Sequence, residues 1–212
     1  METAHKERLD EGIVLEIHQD EDPDSPRDWD NLGTMVCWHR QYNLGDRQIK
    51  DGEYDSPDAI VAAIVKEEGE LAVILPLYLF DHSGLTISTS DEMFRAFDAE
   101  GWDWGKVGFI YVSMAKVREE YGGRGNRESS MKPTKAGIDK AAKVLRAEVE
   151  TYDQYLRLDV YGYVLKNGAG EVLDSCWGFY GFEECLAEAK ASAEFYIAEE
   201  RGPQPVFGVA SG

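Results

Sequence analysis

Along the chain the spacing of apolar positions changes several times, and each change predicts an element. In "GIVLEIHQ", Ile13, Leu15 and Ile17 alternate with polar neighbours, the pattern of a strand with one buried face. "TMVCWHRQY" reads as a second extended segment. "SPDAIVAAIVKEEGE" opens with Ser56 as an N-cap and Pro57 at the first helical position. It spaces Ile60, Val61, Ile64 and Val65 at helical intervals and stops at Gly69. "LAVILPLYLF" predicts a buried strand bent or bulged at Pro76, and "GLTISTS" pairs with it across the turn Asp81-His82-Ser83-Gly84. "KVGFIYVSM" is another strand. "SMAKVREEYGG" then reads as a short helix stopped by glycines, and "RGNRESSMK" as a mobile basic loop. Thr134 caps the longest helix, with Ile138, Ala141, Leu145, Val149, Tyr152 and Leu156 on one stripe. "DVYGYVLKNGAGEVLDSCWGF" is a hairpin around "NGAG", and "FEECLAEAKASAEFYIAEE" is a closing amphipathic helix.

The resulting order, β-β-α-β-β-β-α-α-β-β-α with hairpins dominating, predicts an α+β fold: a mostly antiparallel sheet with packed helices. Neither an internal repeat nor a linker marks a boundary, so residues 1–201 are expected to form a single acidic domain and 202–212 a flexible C-terminal tail. A chain of 212 residues that is 43% hydrophobic is long enough to bury a sizeable core. The longest apolar run falls well short of the roughly 20 residues that span a bilayer. The charged start "METAHKERLDEG" lacks the apolar stretch of a secretion signal, so a soluble, intracellular protein is expected, without a membrane partner. Cys37, Cys176 and Cys185 have no CxxC spacing and read as buried thiols.

Charge changes the picture most. The 41 acidic and 22 basic residues leave a net charge of −19. Residues 1–100 hold 24 acids and 8 bases, whereas 101–150 hold 7 acids and 10 bases. So acidic a surface repels the nucleic-acid backbone and attracts basic partners, at rates that fall as salt rises. Direct nucleic-acid binding is therefore not expected. Solubility alone is the competing explanation of the charge.

Chemical motifs are sparse. Asp20, Asp22 and Asp24 are spaced like the first ligands of a calcium loop, but the sixth position is Ser25 and the twelfth is Asn31. The required Gly and bidentate Glu are missing, which favours a solvated loop. Asp81, His82 and Ser83 invite a hydrolase reading, yet a triad is built from residues that converge in space, and there is no GxSxG elbow. Asp81-His82-Ser83-Gly84 is just as good a turn, and the turn reading wins. His39 and His82, helped by Asp81 or Asp174, are conceivable metal ligands without any zinc spacing. No metal and no cofactor is expected. If the chain is an enzyme, Asp81, His82, His39 and Asp174 are its candidates. Elsewhere aromatics and acids are interleaved, as in "DSCWGFYGFEE" and "TYDQYLRLDVYGY". Core packing explains most of them, but rigid aromatics beside acids also suit a surface that binds a basic protein.

"DNLGTMVCWHRQYNLGD", "PLYLFDHSG", "GKVGFIYVS", "EVETYDQYL" and "DSCWGFYG" together resemble a family of small proteins encoded by bacteriophages and prophages, over most of residues 28–181. Relatives often read W-D-S-G-Q where this chain has Trp102-Asp103-Trp104-Gly105-Lys106, so that loop is expected to differ in its contacts. The family has no established activity, so no catalytic residue carries over. The resemblance implies a phage accessory protein made in the cytoplasm of an infected bacterium. Joined to the charge, it implies a DNA mimic of anti-CRISPR or antirestriction type, binding a basic host defence protein. Asp20, Asp22, Asp24, Asp28, Asp30, Trp177 and Tyr180 are the expected contacts. The alternatives are a hydrolase or nuclease and a sponge for a signalling nucleotide, which would need a deep basic pocket.

Overall fold

The computed structural model describes residues 3–122 and 133–201. In chain order the strands are β1 (Thr3–Arg8), β2 (Val14–Gln19), β3 (Thr34–Cys37), β4 (Arg47–Gln48), β5 (Leu71–Asp81), β6 (Leu85–Ser88), β7 (Trp104–Ser113), β8 (Val160–Lys166) and β9 (Val172–Tyr180). The helices are α1 (Pro57–Glu68), α2 (Glu92–Phe97), α3 (Met114–Tyr121), α4 (Lys135–Leu156) and α5 (Phe182–Arg201). The fold is α+β, as the sequence predicts, but it is built on two sheets where the sequence suggests one. The span read as a single domain comprises two compact units, one of Met1–Asp24 with Leu158–Gly212, the other of Ser25–Arg157. The tail 202–212 and the basic loop "RGNRESSMK" lie outside the described residues.

The split unit carries an antiparallel sheet in the order β1-β2-β8-β9. Alternation along β2 sends Leu15 and Ile17 into a core with Tyr163 and Leu165, against which α5 packs Cys185, Ala189 and Ala193. These small residues, four apart on the helix, let α5 lie close to the sheet. Glu16 and His18 alternate to the other face. There Glu16 accepts hydrogen bonds from Lys6 Nζ at 2.7 Å and Lys166 Nζ at 2.5 Å, and its carboxyl is lowered to about 2, Lys166 contributing most.

In the continuous unit the sheet order is β4-β3-β7-β5-β6, with only β3 and β4 parallel. Helix α4 covers one face through Ala141, Leu145, Val149 and Tyr152, which meet Met35, Leu77, Ile110 and Val112. On the other, α1 places Ile60 and Ile64 among Val36, Phe109 and Tyr111. Val65, predicted on the buried stripe of α1, is 42% exposed, so that stripe is narrower than its apolar pattern. The expected caps are in place: Ser56 Oγ accepts from Ala59 N and Thr134 Oγ1 from Gly137 N. The irregularity foreseen at Pro76 falls between Leu77 and Tyr78. Strand β6 reaches only Tyr78–Asp81, so Pro76 sits where β5 is paired along β7.

Candidate functional site

In the continuous unit, the tip of the β5–β6 hairpin, α2 and the loop into β7 meet at one corner. The corner rests on aromatic packing. Phe80 stacks on buried Phe94 at 5.6 Å, and Trp104 packs against both Phe94 and Tyr78. Above this base the loop is organised by one carboxylate. Asp98 Oδ1 accepts the N–H groups of Glu100 and Gly101, and Oδ2 accepts that of Asp103 at 2.9 Å. Its carbonyl accepts from Trp104 Nε1 at 2.8 Å. These backbone donors, Asp103 foremost, hold the Asp98 carboxyl below the usual aspartate range. Gly101, at φ 74, supplies the left-handed residue that lets the loop double back on that carboxylate.

The aromatic side chains on top of this scaffold are open to solvent. Phe97 is 78% exposed and Trp102 is 83% exposed, and Met93 on α2 is open as well. Among Asp91, Glu92, Asp98, Glu100 and Asp103 the same segment holds a single base, Arg95, which is bound to Asp91. Sequence reasoning did not select these residues. The available signal was "FRAFDAEGWDWG", where aromatics and acids interleave as they do in the two segments that were selected.

Of the enzyme candidates, Asp81, His82 and His39 are in this unit, whereas Asp174 belongs to the other. The turn reading of Asp81-His82-Ser83-Gly84 agrees with the geometry: Ser83 has φ 60, and His82 N bonds Gly84 O. His82 Nδ1 lies 3.0 Å from Asp103 Oδ2, not on Asp81, which instead accepts from Tyr42 Oη at 3.0 Å. His39 stacks on Tyr42, and its Nδ1 accepts the N–H groups of Gln41 and Tyr42. Asp174 accepts from Ser192 Oγ at 2.6 Å and from Tyr163 Oη at 2.9 Å, bonds that lower its carboxyl and tie β9 to α5 and to β8. Among the described residues, no three His, Cys, Asp or Glu side chains come together as metal ligands would. Cys37 and Cys185 are buried, and burial pushes each thiol up to about 12; Cys176, expected to be buried, is exposed.

The predicted contact residues are divided between the units. Asp20, Asp22 and Asp24 fall in the split unit and Asp28 and Asp30 in the continuous one, beside a half-exposed Trp29. The run is less freely solvated than its composition implies. Arg27, with its side chain only 6% exposed, donates to Asp46 from Nε at 2.8 Å and Nη2 at 2.6 Å, and to Glu148 from Nη1 at 3.3 Å. Glu148 also accepts the N–H groups of Leu32 and Gly33. Burial works against the Arg27 charge, but Asp46 and then Glu148 outweigh it and raise its pKa. A Cβ on Gly33 would lie 2.7 Å from Ile110 Cδ1, so the loop reaches the core only because this position has no side chain.

In the split unit Trp177, 38% exposed, stacks on His18 and lies over Gly162, where an added Cβ would meet the indole at 2.2 Å. Tyr180 donates from its hydroxyl to Asp24 O. A cavity of about 710 Å³ in the continuous unit is lined by Trp38, Tyr54 and Ile60, with Arg40 and Lys50 offset by Asp51 and Asp55. No helix among the described residues is long and apolar enough to cross a membrane. No family model matches the chain, and no curated protein or solved structure is significantly similar to it.

Proposed function

We propose that this chain is an acidic, non-catalytic accessory protein of a phage, acting in the host cytoplasm by covering a basic surface of a bacterial defence protein of CRISPR or restriction type. The observation that carries the reading is the corner at α2, where Phe97 and Trp102 stand open to solvent among carboxylates. Large exposed aromatics in a charged rim have the anatomy of an interface anchor, and the sign of the rim selects a cationic partner. The acidic run on either side of Trp29 supplies further steering charge. The enzyme reading draws less support, since Asp81, His82 and His39 are each engaged in turn or stacking contacts and Asp174 belongs to another unit. The cavity that would suit a nucleotide sponge carries as many acids as bases.

Capture of host proteins at low and at physiological salt tests the reading. A partner with a basic surface should be retained at low salt, with an association rate that falls steeply as salt rises. Changing Asp20, Asp22, Asp24 and Asp28 together to Asn should keep the fold and slow that association. Partner binding indifferent to both salt and these changes would overturn the proposal. Loss of function in a well-folded His82→Ala protein that still binds its partner would favour the enzyme.

A further inference from the structure

Beside the exposed aromatics lies a cavity of about 400 Å³ lined by Phe80, His82, Phe97, Asp98 and Asp103. Its lining residues include two phenylalanines, a ring type whose face attracts cations, and two aspartates. The three N–H groups bound to Asp98 orient its charge without cancelling it, and His82 is set against Asp103. A hard metal ion wants six or more oxygens, which two carboxylates and an aromatic wall do not supply. A flat organic cation satisfies both kinds of wall at once.

The same corner already holds one such cation. Arg95 donates from Nε at 2.8 Å and Nη2 at 2.6 Å to Asp91 Oδ2, while its Cζ lies 5.7 Å from the centre of the Trp104 ring. Carboxylate on the edge and aromatic on the face is the arrangement guanidinium prefers over ammonium.

We infer that the Phe80–Phe97 cavity receives an arginine side chain from the basic partner. This rests on the reading of the chain as a binder of basic surfaces, and it places the arginine at this corner rather than along the acidic run. The test is titration of the isotopically labelled full chain with acetyl-Gly-Arg-Gly-amide, and with the same peptide carrying neutral citrulline. The arginine peptide should give saturable amide shifts confined to Phe80, His82 and residues 97–103, with citrulline at least tenfold weaker. Phe97→Ala, at a side chain that supports little of the fold, and Asp103→Asn should each weaken the arginine peptide fivefold or more. Equal response to the two peptides, or shifts spread over the acidic surface and unchanged in Phe97→Ala, would overturn the inference. Salt-dependent capture of a basic partner that Phe97→Ala leaves untouched would overturn it too, while the broader proposal stood.

Discussion

Arg27 is the only base between Asp20 and Asp30, and it is the residue of that run most firmly placed. Its signal in the sequence was faint: a lone base among carboxylates, with its partners far along the chain at Asp46 and Glu148. Arg27→Ala leaves two largely sheltered carboxylates facing each other without their counter-ion, and should cost about 2–4 kcal/mol in denaturant unfolding. Lys, unable to fork onto Asp46, should recover only part of that. Glu16 makes the corresponding prediction for acid. Its carboxyl is lowered from 4.5 to about 2, so its contribution is complete above about pH 4.5 and disappears as pH falls toward 2. Glu16→Gln should therefore lose about 2–3 kcal/mol at pH 7, allowing for the solvent around Lys6, and match the unmodified protein near pH 2. A gap that persisted unchanged in acid would show that shape, not charge, explains the loss.

At the scale of elements, the hairpin between β5 and β6 separates fold from chemistry. His82→Ala should leave unfolding midpoints within about 0.5 kcal/mol of the unmodified protein, as exposed substitutions do. Gly84→Val should cost about 1–3 kcal/mol, because φ 152 there suits glycine. Equal losses from the two would mean that the His82–Asp103 pair, not the turn, holds the tip. All eleven elements read from the sequence have counterparts in the structure: most owe their pattern to a buried face, whereas α3, which buries only Val117, was marked by its glycines, and β9, with no fully buried residue, by the "NGAG" turn. The elements missed lack that pattern. β1, "TAHKER", is an edge strand whose side chains remain largely open to solvent, and α2 buries only Phe94. β4 is two residues long. Missing α2 hid the candidate corner, because Phe97 and Trp102 are conspicuous only once α2 and its loop turn them outward. The turn chemistry at 81–84 was legible because it is local; the partners of Arg27 and Asp174 were not, being set by tertiary approach.

For the molecule as a whole, one uninterrupted stretch, Ser25–Arg157, forms a unit with its own sheet and a helix on each face. Apolar periodicity marks elements but carries nothing about which strands share a sheet, so the division between units was invisible in the sequence. A protein consisting of Ser25–Arg157 alone should unfold cooperatively in urea and give dispersed amide signals. Broad, non-cooperative unfolding would show that the unit depends on the remainder of the chain.

That interrupted connectivity also sets an order in time. A ribosome releases β1 and β2 first, yet β8, the strand that pairs with β2 from Val14 to Gln19, emerges only after the whole continuous unit has been made. A two-stranded hairpin is at best marginally stable in water, and until β8 and α5 arrive Leu15 and Ile17 lack the core they are buried in. The continuous unit can fold in the meantime, but the early hairpin must wait with an unpaired strand edge, the feature that invites pairing between chains. Chains stalled or cut near Arg157 are therefore the ones expected to aggregate. The first strands made are among the last to be sheltered.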